Sequence, residues 1–137
     1  MGSLSAAASL QLPVRLRGIQ LGRPVDILLD VPSWHALGFV VLCGDESQRF
    51  LPFAASQPGD DEIAVGSALM LLEDVAFYAD RGVSFRSLLD GEVAGGTLRD
   101  LEIDPAGAVS TIELERDGET LRIPATGALV VPTRQAA

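Results

Sequence analysis

Apolar and polar side chains alternate along most of the chain. Between residues 23 and 31, Val25 and Ile27 fall on one side of the chain, and Asp26 and Asp30 fall on the other. A period of two residues is typical of a strand with one buried face. The alternation predicts strands at residues 11–17, 23–31, 34–43, 48–54, 62–65, 96–103, 108–116, 119–124 and 128–131. The predicted fold class is all-β with little helix.

Turn-forming residues separate these strands. Asp-Pro-Ala-Gly at 104–107 and Asp-Gly at 117–118 favour tight turns, because their backbone preferences and side-chain hydrogen bonds suit them. Residues 67–80 are ambiguous, and we expect a strand through Leu72 followed by a turn or short helix. One helical turn capped by Ser84 is also predicted.

The second set of strands resembles the first. The residues Leu-Leu-Asp at 28–30 match Leu-Glu-Ile-Asp at 101–104, and each run leads into a turn, a strand, a hairpin and another strand. This similarity predicts an internal duplication. The predicted organisation is a flexible tail at 1–10, a first unit at 11–78, a linker at 79–87 and a second unit at 88–134. Units of this size have marginal cores alone, so we expect them to pack together.

The charge of the chain argues against several function classes. Ten arginines, no lysine and nineteen acidic residues give a net charge of -9, and both halves are negative. Nucleic acids and anionic membrane surfaces are therefore unfavourable partners, because their phosphates need a basic surface. The longest mostly apolar stretch, at 63–72, is shorter than the ~20 residues that a membrane-spanning helix needs. A single cysteine and the absence of a secretory signal favour a cytoplasmic location.

The residues predict no catalytic group, no metal site and no cofactor. Phosphate-loop and Schiff-base chemistry need a lysine, and the chain has none. Cys43 is either a small buried apolar residue or a nucleophile that uses His35, the one histidine. Asp26 and Asp30 are predicted to lie on a solvent-facing side of their strand and to serve solubility.

The first group of candidate binding residues follows the turn at 32–33. Trp34 is either an exposed anchor for a partner or a core residue that closes one end of a barrel. His35 is either a turn residue or a group that changes charge near neutral pH.

The second group is Arg49, Phe50 and Phe53. Phe50 and Leu51 are adjacent, so on a regular strand they point to opposite faces. One of them must face the other unit, a partner or solvent, and packing between the two units is the expectation.

The second half also resembles a known family. It contains Leu-Asp-Gly-Glu-Val at 89–93, Gly-Gly-Thr-Leu-Arg-Asp-Leu-Glu-Ile-Asp at 95–104 and Gly-Ala-Val at 107–109. This run is similar to the PRC-barrel family, in which a Gly-x-Val strand precedes a glycine turn, an aspartate-bearing strand and a hairpin into a Val-rich strand. Residues 22–30 resemble a shortened version without the glycine turn, and the resemblance covers residues 12–132 in two copies.

PRC-barrels are small β-barrels. They occur as the cytoplasmic domain of the photosynthetic reaction-centre H subunit, as the C-terminal half of the ribosome maturation factor, and as stand-alone prokaryotic proteins. The resemblance implies two packed β-barrel units and contact with protein partners.

The sequence thus predicts a non-enzymatic bacterial adaptor that binds another protein, with homodimerisation as an option. Its predicted contact residues are Trp34, His35, Arg49, Phe50 and Phe53. The alternative is a small-molecule sensor or enzyme with a pocket between the two repeats, where His35 and Arg49 would converge with an acid.

Overall fold

The computed structural model describes residues 3–30, 33–93 and 95–125. The strands in this part of the chain are β1 (Leu4–Ser5), β2 (Val14–Leu16), β3 (Ile19–Asp30), β4 (His35–Cys43), β5 (Gln48–Pro52), β6 (Ser56–Pro58), β7 (Ile63–Val65), β8 (Val83–Ser84), β9 (Glu92–Val93), β10 (Gly96–Ile103), β11 (Val109–Arg116) and β12 (Glu119–Pro124). The short helices are α1 (Ala6–Ser9), α2 (Val75–Ala79) and α3 (Phe85–Leu88), with 3-10 turns at Phe53–Ala55 and Ala68–Met70. The predicted strand at 128–131 lies outside the described residues.

Two curled sheets form a half-barrel, which confirms the all-β prediction. The larger sheet has the order β5-β4-β3-β2-β7-β6, with β8 added to β3. The smaller sheet has the order β1-β10-β11-β12, with β9 added to β10. No helix in the described part of the chain is long and apolar enough to cross a bilayer.

The two long hairpins, β3–β4 and β10–β11, have register shifts at matching positions. The register of β3 on β4 shifts between Pro24 and Asp26, and the register of β10 on β11 shifts between Leu98 and Asp100. A second shift follows at the same distance along each strand, at 28–29 and 102–103. Alternation alone does not place β-bulges, which have defined local geometries. Their shared positions support the internal duplication.

The two halves exchange their first segments. The strand β1 pairs with β10 of the second half, and β8 pairs with β3 of the first half. The sequence predicts a flexible tail at 1–10, whereas this range contains β1 (Leu4–Ser5) and α1 (Ala6–Ser9), with Ala6 and Leu10 buried. It also predicts a linker at 79–87, whereas this range contains β8 and the start of α3, with Phe85 buried.

One carboxylate, Asp100, holds the first exchanged segment. Its two oxygens accept hydrogen bonds from Ser5 Oγ at 2.5 Å, from the Ala7 N–H at 2.9 Å and from the N–H of Leu101 at 2.7 Å. Ser5 also caps α1 through the N–H of Ala8. The carboxylate therefore joins a strand, a helix cap and its own bulge in one network.

Asp26 does the same for the second exchanged segment. It accepts hydrogen bonds from Ser84 Oγ, from the N–H of Arg86 at 3.1 Å and from the N–H of Ile27 at 2.8 Å. Ser84 caps α3, as the sequence predicts. The solubility role predicted for Asp26 is therefore wrong, because a half-buried carboxylate with three donors is a structural anchor. Asp30 is half-buried and accepts a hydrogen bond from Ser33 Oγ at 2.5 Å.

The turns of the two long hairpins also meet. The N–H of Ala36 donates to Gly107 O at 2.7 Å, and the Val109 N–H donates to Trp34 O at 2.8 Å. Gly107 has a φ of +98°, and a Cβ at this position would lie 3.0 Å from His35 Nε2. Glycine is required there, because both the backbone conformation and the close contact disfavour a side chain.

A single large core lies between the sheets and draws side chains from both halves. The first half contributes residues such as Ile27, Trp34 and Phe39, and the second contributes residues such as Leu98 and Ile112. The two halves therefore share one core.

Replacing Asp100 by alanine is expected to lower the free energy of unfolding by about 2–4 kcal/mol, because it removes three charge-assisted hydrogen bonds and leaves their donors without this acceptor. Asp26→Ala is expected to have an effect of similar size. The measurement is urea unfolding followed by the fluorescence of Trp34. The control is Asp80→Ala, an exposed acid whose loss should change stability by less than about 0.5 kcal/mol. Equal stability of Asp100→Ala and the control would contradict this account of the anchor.

Candidate functional site

The five predicted contact residues form no common exposed patch. Trp34, Phe50 and Phe53 are only 2%, 1% and 7% exposed, respectively. Trp34 belongs to the large core, so the structure favours the core interpretation over the exposed anchor. Phe53 packs in the same core, with its ring 6.0 Å from that of Phe39.

Phe50 points to the opposite face of the larger sheet. Its ring stacks on Tyr78 with centroids 4.1 Å apart, and its backbone pairs with Leu72 through two hydrogen bonds of 2.7 and 2.8 Å. Both partners belong to residues 66–82, which we call the cover segment. Leu51 points into the large core, as alternation requires. The expectation that this pair packs between the two units is wrong for Phe50, because the cover segment of its own half covers that ring.

The cover segment combines a bridge and two short helical elements. Leu72 forms an isolated antiparallel bridge with Phe50, after the 3-10 turn and before α2. The expected strand through Leu72 is thus reduced to a single bridge, whereas the expected short helix is present. Together with Val75 and Tyr78, Leu72 packs on a small second cluster made of Leu28, Val40 and Phe50.

His35 lies far from both Arg49 and Cys43 along β4 and β5. His35 is the first residue of β4 and Cys43 is the last of its nine residues, so their backbones are separated by roughly 25 Å at ~3.3 Å per residue. Arg49 lies opposite Val41, which puts it about 20 Å from His35 on the same scale. This separation excludes a Cys43–His35 nucleophile pair and a His35–Arg49 pocket.

Arg49 forms ion pairs at the surface, and the Cys43 thiol is half-buried. Arg49 Nη1 lies 3.3 Å from Glu73 of the cover segment, and its Nη2 lies 3.9 Å from Asp45. Burial raises the pKa of the Cys43 thiol, and the charge of Arg49 opposes that shift. A thiol with a raised pKa is a poor nucleophile at neutral pH.

The cover segment carries an apolar outer side that the sequence analysis did not identify. Leu69 is 85% exposed, and Met70 and Phe77 are 40% and 42% exposed. Capping fixes their backbone, because Ser67 Oγ accepts from the N–H of Leu69 at 3.1 Å and Asp74 accepts from the N–H of Phe77 at 3.3 Å. The available sequence signal was that apolar residues in this segment outnumber those that one buried helix face can hold.

Acidic groups lie close to this apolar side. Asp74 and Asp80 flank α2, and Glu73 pairs with Arg49. The guanidinium of Arg81 lies over the Phe77 ring, 3.7 Å from its centroid. The cover segment therefore carries exposed apolar side chains together with mainly acidic residues.

The corresponding sheet of the second half carries charged pairs instead of an apolar cluster. Arg99 Nη2 lies 2.8 Å from Glu115, and Arg122 Nη2 lies 2.7 Å from Glu102. These hydrogen bonds raise the pKa of both guanidinium groups. A polar face of this kind needs no cover.

A cavity of about 620 Å³ opens between the two sheets. One wall is β6 with the turn that follows it, including Asp60, and another is formed by Ser3 and Leu4. Asp104, at the end of β10, also lines it. Within the described residues, no group of three or more His, Cys, Asp or Glu side chains is placed to hold a metal ion.

No protein-family model matches the chain, and no curated protein matches it in sequence.

Trp34→Ala is expected to destabilise the fold by about 3–5 kcal/mol, because it leaves a large void in the shared core. Thermal unfolding measured by circular dichroism should show a clearly lower Tm than the wild type. Ile19→Ala, which truncates a residue that is 67% exposed, is the matched control and should change Tm little. A wild-type Tm for Trp34→Ala would mean that Trp34 is not a core residue.

The raised pKa of Cys43 predicts slow alkylation. Below its pKa a thiol is mostly protonated, so a higher pKa means less reactive thiolate at a given pH. We expect the midpoint of the iodoacetamide rate against pH to lie higher for the native protein than for the chain unfolded in urea. Comparing midpoints rather than rates removes the effect of restricted access. A native midpoint at or below the unfolded one would contradict the burial effect.

Proposed function

We propose that this protein is a non-enzymatic interaction module that binds another protein through the outer side of its cover segment. The observation that supports this proposal is the distribution of exposed large apolar side chains. Five such residues lie in the described part of the chain, and three of them, Leu69, Met70 and Phe77, belong to the cover segment. Clusters of exposed apolar side chains on an otherwise polar protein mark interaction sites.

The energetics of this surface suit a protein partner. Leu69 is already ordered by the Ser67 cap, so its burial costs little further backbone entropy. Complete burial of such a side chain contributes about 1.5–3 kcal/mol. The acidic border formed by Glu73, Asp74 and Asp80 favours a partner with basic residues around an apolar centre. The same acids and the net charge of -9 disfavour nucleic acids and anionic membranes.

The family resemblance points in the same direction. We propose that the two halves are PRC-barrel-like repeats, which the paired bulges at Asp26 and Asp100 support. Members of that family contact protein partners, and a duplicated scaffold with one covered face suits an adaptor. We further propose a cytoplasmic location, since the chain has one cysteine and no disulfide framework.

The alternative function, a sensor or enzyme built on His35 and Arg49, has less support. Those two residues lie at different points of the larger sheet and do not converge with an acid in one concavity. Arg49 instead pairs with Glu73 and Asp45. The interaction module is therefore the function that the geometry supports best.

The test is affinity capture from the native host with three forms of the protein. We expect the wild type and Ile19→Ser to recover a common protein, and Leu69→Ser combined with Phe77→Ser to lose it. Ile19 is the matched control, because it is another exposed apolar residue outside the cover segment. Thermal unfolding of all three forms establishes that they are folded.

Recovery of the same protein by the double variant would contradict the proposed surface. Recovery of nothing by the wild type would contradict the adaptor function. Recovery of this chain itself would assign the surface to a homodimer instead.

A further inference from the structure

Two strands that have a neighbour on one side only, within the described residues, line one cavity. The β5 edge of the larger sheet is closed by the bridge between Phe50 and Leu72. In the part of the chain that the structure describes, β6 pairs only with β7, and β1 pairs only with β10. Both β6 and the start of β1 line the 620 Å³ cavity. Free strand edges expose backbone N–H and C=O groups that can pair with another extended chain.

The size and walls of this cavity suit a short extended segment. Its volume falls within the range of ~300–1,000 Å³ that is usual for ligand sites. Of its apolar lining residues, Leu4, Pro58 and Pro105 have accessible surface, whereas Phe53 and Ile103 belong to the buried core. In an extended segment alternate side chains point to opposite sides, so every second residue can face this surface. Because Pro58 has no N–H, the β6 edge can pair with only a few residues.

The charge of the cavity selects a cationic ligand. Asp60 and Asp104 are the ionisable side chains that line it, and no arginine or histidine lines it among the described residues. Asp104 Oδ1 is held by the N–H groups of Ala106 and Ala108, each at 2.9 Å. Within the described residues neither carboxylate takes part in an ion pair. The two negative charges are thus available to basic side chains.

We propose that this inter-sheet cleft binds an extended peptide segment of alternating basic and apolar residues by strand addition between β6 and β1. The main chain of the segment pairs with these two edges, its apolar side chains contact Leu4 and Pro105, and its basic side chains reach Asp60 and Asp104. Strand addition of this kind takes affinity from the backbone and specificity from alternate side chains. The site is separate from the cover segment, so it adds a second contact to the proposed adaptor.

The test measures binding of a labelled peptide, acetyl-Arg-Val-Arg-Val-Arg-amide, to the full chain by fluorescence anisotropy. We expect saturable binding that weakens at high salt, and no binding of the acidic peptide acetyl-Glu-Val-Glu-Val-Glu-amide. Asp60→Asn combined with Asp104→Asn should weaken binding about three- to tenfold, as expected for the loss of two partly exposed ion pairs. Asparagine keeps an acceptor oxygen for Ala106 and Ala108, so the turn should remain folded, and the Tm of the variant checks this.

Two controls separate a specific site from general attraction to an acidic protein. Asp117→Asn combined with Glu119→Gln makes the same change in net charge in the exposed turn between β11 and β12, away from the cleft and from the cover segment, and should leave binding unchanged. The basic peptide with alternate amides N-methylated should bind far more weakly, because it cannot pair along both edges.

The proposal is overturned if the basic peptide does not bind, if both double variants weaken binding equally, or if N-methylation has no effect. Complete competition by arginine methyl ester at its own binding concentration would assign the cleft to a small cation instead. Leu69→Ser should bind the peptide as the wild type does, so a failure at the cleft is distinguishable from a failure of the proposed adaptor surface.

Discussion

The hydrogen bonds of two half-buried carboxylates hold the exchanged segments on which the architecture depends. Asp26 and Asp100 stand at equivalent β-bulges, and each accepts hydrogen bonds from the segment that arrives from the other half. The bulge turns the carboxylate toward the serine cap of a short helix, so one side chain satisfies donors from three local structures. Because the exchange is reciprocal, neither half completes its sheet without the other. The shared core and the inter-sheet cleft both follow from this arrangement.

The two similar halves carry different outer faces. On the first half, Leu28, Val40 and Phe50 make the second face of the sheet apolar, and the cover segment buries them. On the second half, the equivalent face carries paired charges such as Arg99 with Glu115. The cover segment thus buries an apolar face, and it carries three of the five exposed large apolar residues in the described chain. The two halves therefore share their strand pairing and their bulges, whereas their outer faces differ in polarity.

Much of the fold could be predicted from local patterns, but most of the candidate site could not. Alternation predicted the long strands, and Asp-Gly at 117–118 predicted the hairpin between β11 and β12. The roles of Trp34, Phe50 and Asp26 needed knowledge of what packs against each strand. An aspartate that faces solvent and one that anchors another segment both alternate with apolar residues along a strand, so the sequence pattern does not distinguish them. The hydrogen bond from Ser84 shows that Asp26 is an anchor. The exposure of Leu69 could not be predicted from the sequence either, since apolar residues in a short helix are usually buried.

By itself, the sequence determined the strand periodicity, the turn positions, the acidic charge and the absence of lysine chemistry, because these depend on side-chain type and local spacing. Tertiary structure alone decided which first segment pairs with which half, which face of the larger sheet is covered, and that β6 and β1 line one cavity. The physical reason is that a period of two residues indicates a strand with two different faces, but it carries no information about which segment packs against either face. That choice depends on contacts between residues far apart in the chain, such as those of Ser5 with Asp100 and of Phe50 with Tyr78.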